Sequence, residues 1–355
     1  MLNLGDLLQT LNDPSTLREI RSQFGYAVAA DGNLTVVGTP YADIGGYSDA
    51  GRAYVFNSTT GALVATLNNP TPADGDNFGS SVAMSGSTLV VGAPRDNTAA
   101  NRAGSAYIFD AATGNLLRTL NNPTPADDED FGGSVAVSGS TVLVGAPHDD
   151  TGADWAGSAY IYDAVTGSLL RTLNNPTPAN YDTFGSSVAV SGSTVVVGTQ
   201  AENDAGSAYI FDAATGNLVW TLNPTPSSYY FGSSVALSGT TVLVGAPREA
   251  VGPVGQAGAA YIFDAATGNL LRKLTNPTPR SDQGFGSSLA ASGSTVVVGM
   301  QELYYGQTIG PGAAYIYDAA TGNLLWTLNN PTPAAKDYFG WSVAVSGTTL
   351  VVGAP

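Results

Sequence analysis

Residues 78–94 read Phe-Gly-Ser-Ser-Val-Ala-Met-Ser-Gly-Ser-Thr-Leu-Val-Val-Gly-Ala-Pro, and near-copies of this stretch return along the whole chain. The Phe-Gly pair stands at Phe24, Phe78, Phe131, Phe184, Phe231, Phe285 and Phe339, at intervals of 54, 53, 53, 47, 54 and 54 residues. A strand-rich unit repeated about every fifty residues points to a ring or stack of small sheets rather than one large core. Within the unit, Ser81 to Ser85 and Thr88 to Gly92 are rich in strand formers. Gly86-Ser87 joins them as a two-residue hairpin in which glycine supplies the positive φ.

A third run, Ala106 to Asp110, and a fourth, Asn115 to Leu120, are joined through Ala-Ala-Thr-Gly, where Gly114 suits the left-handed position of a bulged turn. Pro-Thr-Pro then stops the ladder, because proline cannot donate to it, and the chain crosses to the next unit. The second strand is nearly all apolar (Val195-Val196-Val197, Val296-Val297-Val298), as expected of a strand covered on both faces. The fourth alternates in Leu117-Arg118-Thr119-Leu120, as a half-solvated edge would. These patterns predict an all-β fold, a seven-bladed β-propeller of four-stranded antiparallel blades, in a single domain over 1–355 with repeats starting at 24, 78, 131, 184, 231, 285 and 339.

The third strand occurs only six times, at Tyr54, Tyr107, Tyr160, Tyr209, Tyr261 and Tyr315, whereas the fourth occurs seven times if Gly5 to Leu11 is included. The ring is therefore expected to close by an N-terminal strand, residues 4–11, pairing with the C-terminal blade. Either residues beyond 355 in a longer precursor supply the third strand, or the N-terminal segment slides inward onto Thr349 to Gly353. The open edge also admits strand exchange with another subunit. Ser15 to Ser22 reads as one or two helical turns with Ser15 as N-cap.

Charged residues make up 11% of the chain, with 12 Lys+Arg against 28 Asp+Glu and a net charge of −16, which disfavours nucleic-acid partners. Without cysteine, neither disulfides nor thiolate chemistry are available. No apolar run approaches the roughly 18 residues of a membrane helix, and no signal peptide is visible, so an extracellular or cell-surface location would require another export route.

The Phe-Gly-Ser-Ser-Val-Ala and Val-Val-Gly-Ala-Pro elements resemble the FG-GAP repeat of integrin alpha-subunit propellers and related bacterial surface proteins. Gly-Ala-Pro stands at 92–94, 145–147, 245–247 and 353–355. The resemblance implies an adhesion or binding module with no catalytic residues. The acidic calcium hairpin of integrin-type blades is replaced here by Ser-Gly-Ser or Ser-Gly-Thr, with a carboxylate only at Asp31, so those sites do not carry over. Tyr-Ile-Tyr-Asp-Ala-Ala-Thr-Gly-Asn-Leu-Leu-Trp at 315–326 is similar to the repeat of quinoprotein dehydrogenase propellers, whose central calcium and quinone ligands are missing from this sequence.

The loops between second and third strands, and those between blades, vary most, and strand alternation sends both to one face. Exposed aromatics beside acidic residues suit a protein or a glycan ligand. The candidate binding residues are Tyr41, Asp43, Tyr47, Asp149, Asp150, Trp155, Tyr181, Tyr229, Tyr230, Tyr304 and Tyr305. Asp149, Asp150 and Asp154 are the candidate Ca²⁺ ligands, in a chain otherwise expected to need no cofactor. His148, the single histidine, is assigned no role. The leading reading is a non-catalytic partner-binding face; the alternatives are a lectin-like propeller, an assembly module and a quinoprotein-like enzyme.

Overall fold

The computed structural model describes residues 9–15, 22–200, 205–223, 230–301, 310–334 and 337–355, and these form a β-propeller of small antiparallel sheets. Six sheets have four strands each, paired in chain order, and a seventh contains Val343–Ser346 and Thr349–Val352. The second blade is representative, with strands Ser81–Ser85, Thr88–Ala93, Ser105–Asp110 and Leu116–Asn121. Its register places Val82 opposite Val91, Val91 opposite Tyr107 and Tyr107 opposite Thr119. The expected bulge falls between Ile108 and Phe109, and Gly114 takes φ +72° in the turn beyond it.

Second strands lie between neighbouring blades, and Leu89, Val90 and Val91 are wholly buried. The fourth strand departs from the expected alternation. Leu116, Leu117, Arg118 and Thr119 are all exposed and only Leu120 turns inward, because this strand is the outermost of its sheet.

The conserved pairs of the unit are explained by contacts between blades. Phe78 is fully buried between Ala53, Val55 and Leu67 of the preceding blade and Tyr107 and Phe109 of its own. The Gly of Gly-Ala-Pro is required by close approach, since a Cβ on Gly92 would stand 2.0 Å from the carbonyl oxygen of Gly132 in the next blade. Ser81 Oγ donates to that same carbonyl at 2.7 Å. The bond recurs from Ser134 to Gly185, Ser187 to Gly232, Ser234 to Gly286 and Ser288 to Gly340. Ser342 donates in the same way to Gly25 at 2.8 Å, joining the last sheet to the first. At that seam Tyr26 and Trp341 replace the usual small residue after Phe-Gly, and their rings meet at 5.4 Å.

The Asn before Pro-Thr-Pro is also structural. Asn69, Asn175, Asn276 and Asn330 each donate through Nδ2 to a residue seven positions on, respectively Asp76, Asp182, Gln283 and Asp337, at 2.7–2.8 Å. Asn122 pairs with Glu129 in the same way.

Residues 4–8 of the expected closing strand and 16–21 of the expected helical turn lie outside the described residues. Residues 9–15 carry the contacts of a fourth strand and the turn after it, although 9–11 make no ladder. Leu11 packs with Phe24, Tyr54 and Phe56, as Leu120 does with Phe131, Tyr160 and Tyr162. Asp13 accepts from Ser15 N–H at 2.8 Å, as Asn122 accepts from Thr124 N–H, and from Ser22 Oγ at 2.9 Å, which pairs the same two positions as the bond from Asn122 to Glu129 with its direction reversed. Gln9 lies over Gly61 as Arg118 lies over Gly167. Thus residues 9–11 stand in the fourth-strand place rather than against Thr349–Val352.

Candidate functional site

Three loop positions in each unit carry the variable side chains of one face. They are the residue two before the glycine that opens the third strand, and the residues three and one before the motif Phe. Many adopt left-handed backbone: Asp49, Arg102, Trp155 and Gln256 at the first, Asp128, Tyr181 and Asp282 at the second, and Asn77, Asp130, Thr183, Tyr230 and Tyr338 at the third. Non-glycine residues with positive φ are uncommon, and for bulky ones the conformation must be enforced by neighbours.

The enforcement is clearest in the third blade. Asp150 Oδ1 accepts the Trp155 amide at 2.8 Å, and the Trp155 carbonyl accepts the Thr183 amide at 2.9 Å. The Tyr181 amide donates to the Asp154 carbonyl at 2.8 Å. Trp155 is consequently held outward, 41% exposed, with Tyr181, 57% exposed, edge-on at 5.6 Å. His148 stacks on the other side of Trp155 at 4.3 Å and 25°.

His148 Nδ1 lies 2.9 Å from Asp130, which faces Arg102 at 3.6 Å, and Arg102 also meets Asp128 at 2.8 Å. An aromatic platform therefore continues into a polar ridge spanning two blades. Beside it a cavity of about 320 Å³ is lined by Asp74, Gly75, Arg95, Asn97, Asn101 and Arg102. Apolar faces flanked by hydrogen-bonding groups of both kinds are the chemistry that recognises amphipathic ligands.

The other candidates are dispersed. Tyr41 is half-buried, its ring 6.1 Å from Tyr26, and Tyr47 is exposed at a local bend paired with Ile44. Asp43 accepts the Asp49 amide at 2.9 Å. Tyr230 carries the Arg248 guanidinium over its ring at 4.1 Å. Tyr229, Tyr304 and Tyr305 lie outside the described residues.

The three aspartates proposed as a cation site are not brought together. Asp149 is buried, accepting from the Tyr160 hydroxyl and the Thr151 amide, while Asp150 is engaged with Trp155 and Asp154 stands exposed. Among the described residues no three His, Asp or Glu side chains are grouped to hold a metal ion. The buried loop carboxylate is a repeated tie, with Asp96 to Tyr107 and Glu249 to Tyr261 matching Asp149 to Tyr160. Burial, followed by the adjoining Asp149 contacts, raises the Tyr160 hydroxyl well above its ordinary pKa.

Asp76 is wholly buried, and burial first, then the charges of Asp96 and Asp74, raise its pKa to about 6, against the opposing bonds from Ala73 and Asn69. Its Oδ2 accepts both bonds, while Oδ1 is buried with no hydrogen-bond partner among the described residues. Glu129 is raised in the same sense, chiefly by burial.

His148 and Arg102 are what the residue-by-residue reading missed. No motif spacing links 102, 130, 148, 155 and 181, but alignment of the units does, because Arg102 and Trp155 share one variable position and Asp128 and Tyr181 another.

The sheets and their diversified loop face define a repeat propeller that presents variable side chains from an invariant frame. FG-GAP repeats match residues 21–56, 63–109, 124–162, 176–211, 226–263 and 331–355, more than half of the chain, and the protein belongs to the FG-GAP repeat family. The unmatched region includes the sixth blade, whose strands Phe285–Ser292, Thr295–Met300, Ala313–Asp318 and Leu324–Asn329 nevertheless build the same sheet. No curated protein matches the chain.

Proposed function

We propose that this chain is a non-catalytic binding or adhesion module, a seven-bladed ring whose N-terminal segment completes the rim of the last blade. It acts at a cell surface or outside the cell, and it engages a protein or glycan partner through the face bearing the inter-blade loops. The observation that carries this reading is the His148–Trp155–Tyr181 platform, held outward in left-handed backbone beside a polar cavity. Exposing two large aromatics in a costly conformation gives the fold nothing, whereas it suits stacking on a sugar ring or an apolar anchor of a protein. Family membership supports the absence of catalysis, since FG-GAP propellers are generally non-enzymatic.

The mixture of donors and acceptors beside the platform favours a glycan as the first ligand class to test. The purified chain is screened on a glycan array with and without EDTA, beside a variant carrying Trp155→Ala and Tyr181→Ala. Glycan binding that the variant loses supports the reading, and insensitivity to EDTA makes it independent of a divalent cation. Binding retained in the variant would move the site elsewhere; no glycan binding would leave a protein partner to be sought by crosslinking through this face.

A further inference from the structure

The two-stranded seventh sheet differs from the other six in a way that specifies what it would bind. Thr349–Val352 pairs on one side with Val343–Ser346, and among the described residues no strand lies along its other side. In the second blade that side of the equivalent strand carries Ser105–Asp110, with Leu89 opposite Phe109 and Val91 opposite Tyr107. By alignment, Leu350 corresponds to Leu89 and Val352 to Val91. Leu350 and Val352 are only partly buried, whereas Leu89 and Val91 are completely buried.

The motif phenylalanines report the same difference independently. Phe78, Phe131, Phe184, Phe231 and Phe285 are fully buried, whereas Phe24 and Phe339 are only partly so. Each fully buried ring touches the third strands of two blades, as Phe78 touches Ala53 and Val55 behind it and Tyr107 and Phe109 beside it. Phe24 has the strand of its own blade, in Tyr54 and Phe56, and Phe339 has Ala314 of the blade before. What both lack, among the described residues, is one and the same third strand, that of the seventh sheet. The amides of the other six motif phenylalanines donate to Ala50, Ala103, Ala156, Ala205, Ala257 and Pro311, just ahead of the third strand of the preceding blade.

Residues 9–11 occupy the fourth-strand place, so the position is bounded on the rim side as well. We infer that the outer edge of Thr349–Val352 is a strand-acceptor site, and that it takes an extended segment of the repeat's own third-strand chemistry. This segment has the pattern Ala-Gly-Ser-Ala-Tyr-Ile-Phe/Tyr-Asp and runs antiparallel to residues 349–354. Its Tyr and Phe/Tyr side chains cover Phe339, its small and branched residues cover Phe24, and the carbonyl of its leading Ala receives the Phe24 amide. The main chain supplies affinity and the alternate side chains supply specificity, as in strand addition generally.

The probe is a synthetic peptide with the sequence of residues 103–112, added to the intact chain, with a scrambled peptide and one carrying serine at the Tyr107 and Phe109 positions as controls. The expected result is saturable binding of the matched peptide alone. It raises Tm by roughly 3–8 °C at about a hundredfold excess over Kd, and it slows hydrogen exchange at Phe24 and residues 349–353. Absence of a shift in protein that melts cooperatively, or an equal shift with the scrambled peptide, overturns the inference. So does full protection of residues 349–353 without peptide, which would mean the chain's own residues cover the edge, or a dimer that peptide does not dissociate, which would mean a second copy does.

Discussion

Truncating the motif phenylalanines one at a time should cost different amounts at chemically identical positions. Phe131 is wholly buried, with Tyr160 at 5.7 Å and Tyr162 at 6.1 Å on one side and Val90, Ala106 and Leu120 on the other. Phe131→Ala removes a ring that neither neighbouring sheet can follow, because each is pinned by Ser81 to Gly132 and Ser134 to Gly185. Transfer and cavity contributions together place the loss at ~3–5 kcal/mol. Phe339 has one wall, formed with Ala290, Val297 and Ala314, and its remaining side is partly solvated. Phe339→Ala should therefore cost only about half as much, roughly 1.5–2.5 kcal/mol, and Phe24→Ala should resemble it. The assay is urea unfolding followed by circular dichroism, with the slope checked for constancy so that midpoints report stability alone. Equal losses at Phe131 and Phe339 would refute the reasoning, because they would mean that both rings have two complete walls.

Other outcomes follow from single contacts. Asp76 takes up a proton in the folded state up to about pH 6, whereas the unfolded carboxylate loses it near 4, so this group's contribution to stability falls as pH rises between those values. Asp76→Asn should flatten that part of the profile and stabilise the chain at pH 7.5 by roughly 1–3 kcal/mol, read as the difference in urea midpoints from the parent at pH 4.5 and 7.5. Gln283 already shows a neutral side chain in that role, accepting from Asn276 and from the Arg280 amide. Gly145→Ala would place a Cβ 2.1 Å from the Gly185 carbonyl and should prevent stable folding, while Gly255→Ala meets nothing within 4 Å and should leave the melting temperature unchanged. Tyr160→Phe leaves the buried Asp149 without its hydroxyl donor and should cost about 1–3 kcal/mol, measured by the same unfolding assay.

The frame was legible because each unit repeats the same local chemistry. Hairpin glycines, the apolar second strand and Pro-Thr-Pro all read correctly from one copy. Two things did not. The acidic loops looked uniform, but position decides their role: Asp149 lies within Tyr160's reach beneath the surface, whereas Asp150 holds the Trp155 amide. Composition cannot separate these, since both are aspartates one residue apart. The exposed platform was half read. Trp155 and Tyr181 stand out as aromatics in variable loops, but the stacking of His148 depends on a left-handed turn at Trp155 that no turn-forming residue announces. The outward Leu116 and Leu117 were also hidden, because alternation assumes a pleat with one covered face, and the rim strand lacks it.

The serine-to-glycine bonds between sheets bear on how the molecule is made. Ser81 reaches Gly132 across 51 residues and Ser288 reaches Gly340 across 52, whereas Ser342 reaches Gly25 across 317. Every sheet, the last included, can thus dock onto a neighbour that is close in the chain, and folding can spread from any pair. The contact between Ser342 and Gly25 alone must wait for both ends to meet, and its loop entropy is larger by only about 1.6 kcal/mol because that cost grows logarithmically with length. The early phases of folding should be insensitive to Ser342→Ala, and the last one should be slowed by it, so that a single hydroxyl separates the growth of the array from its completion.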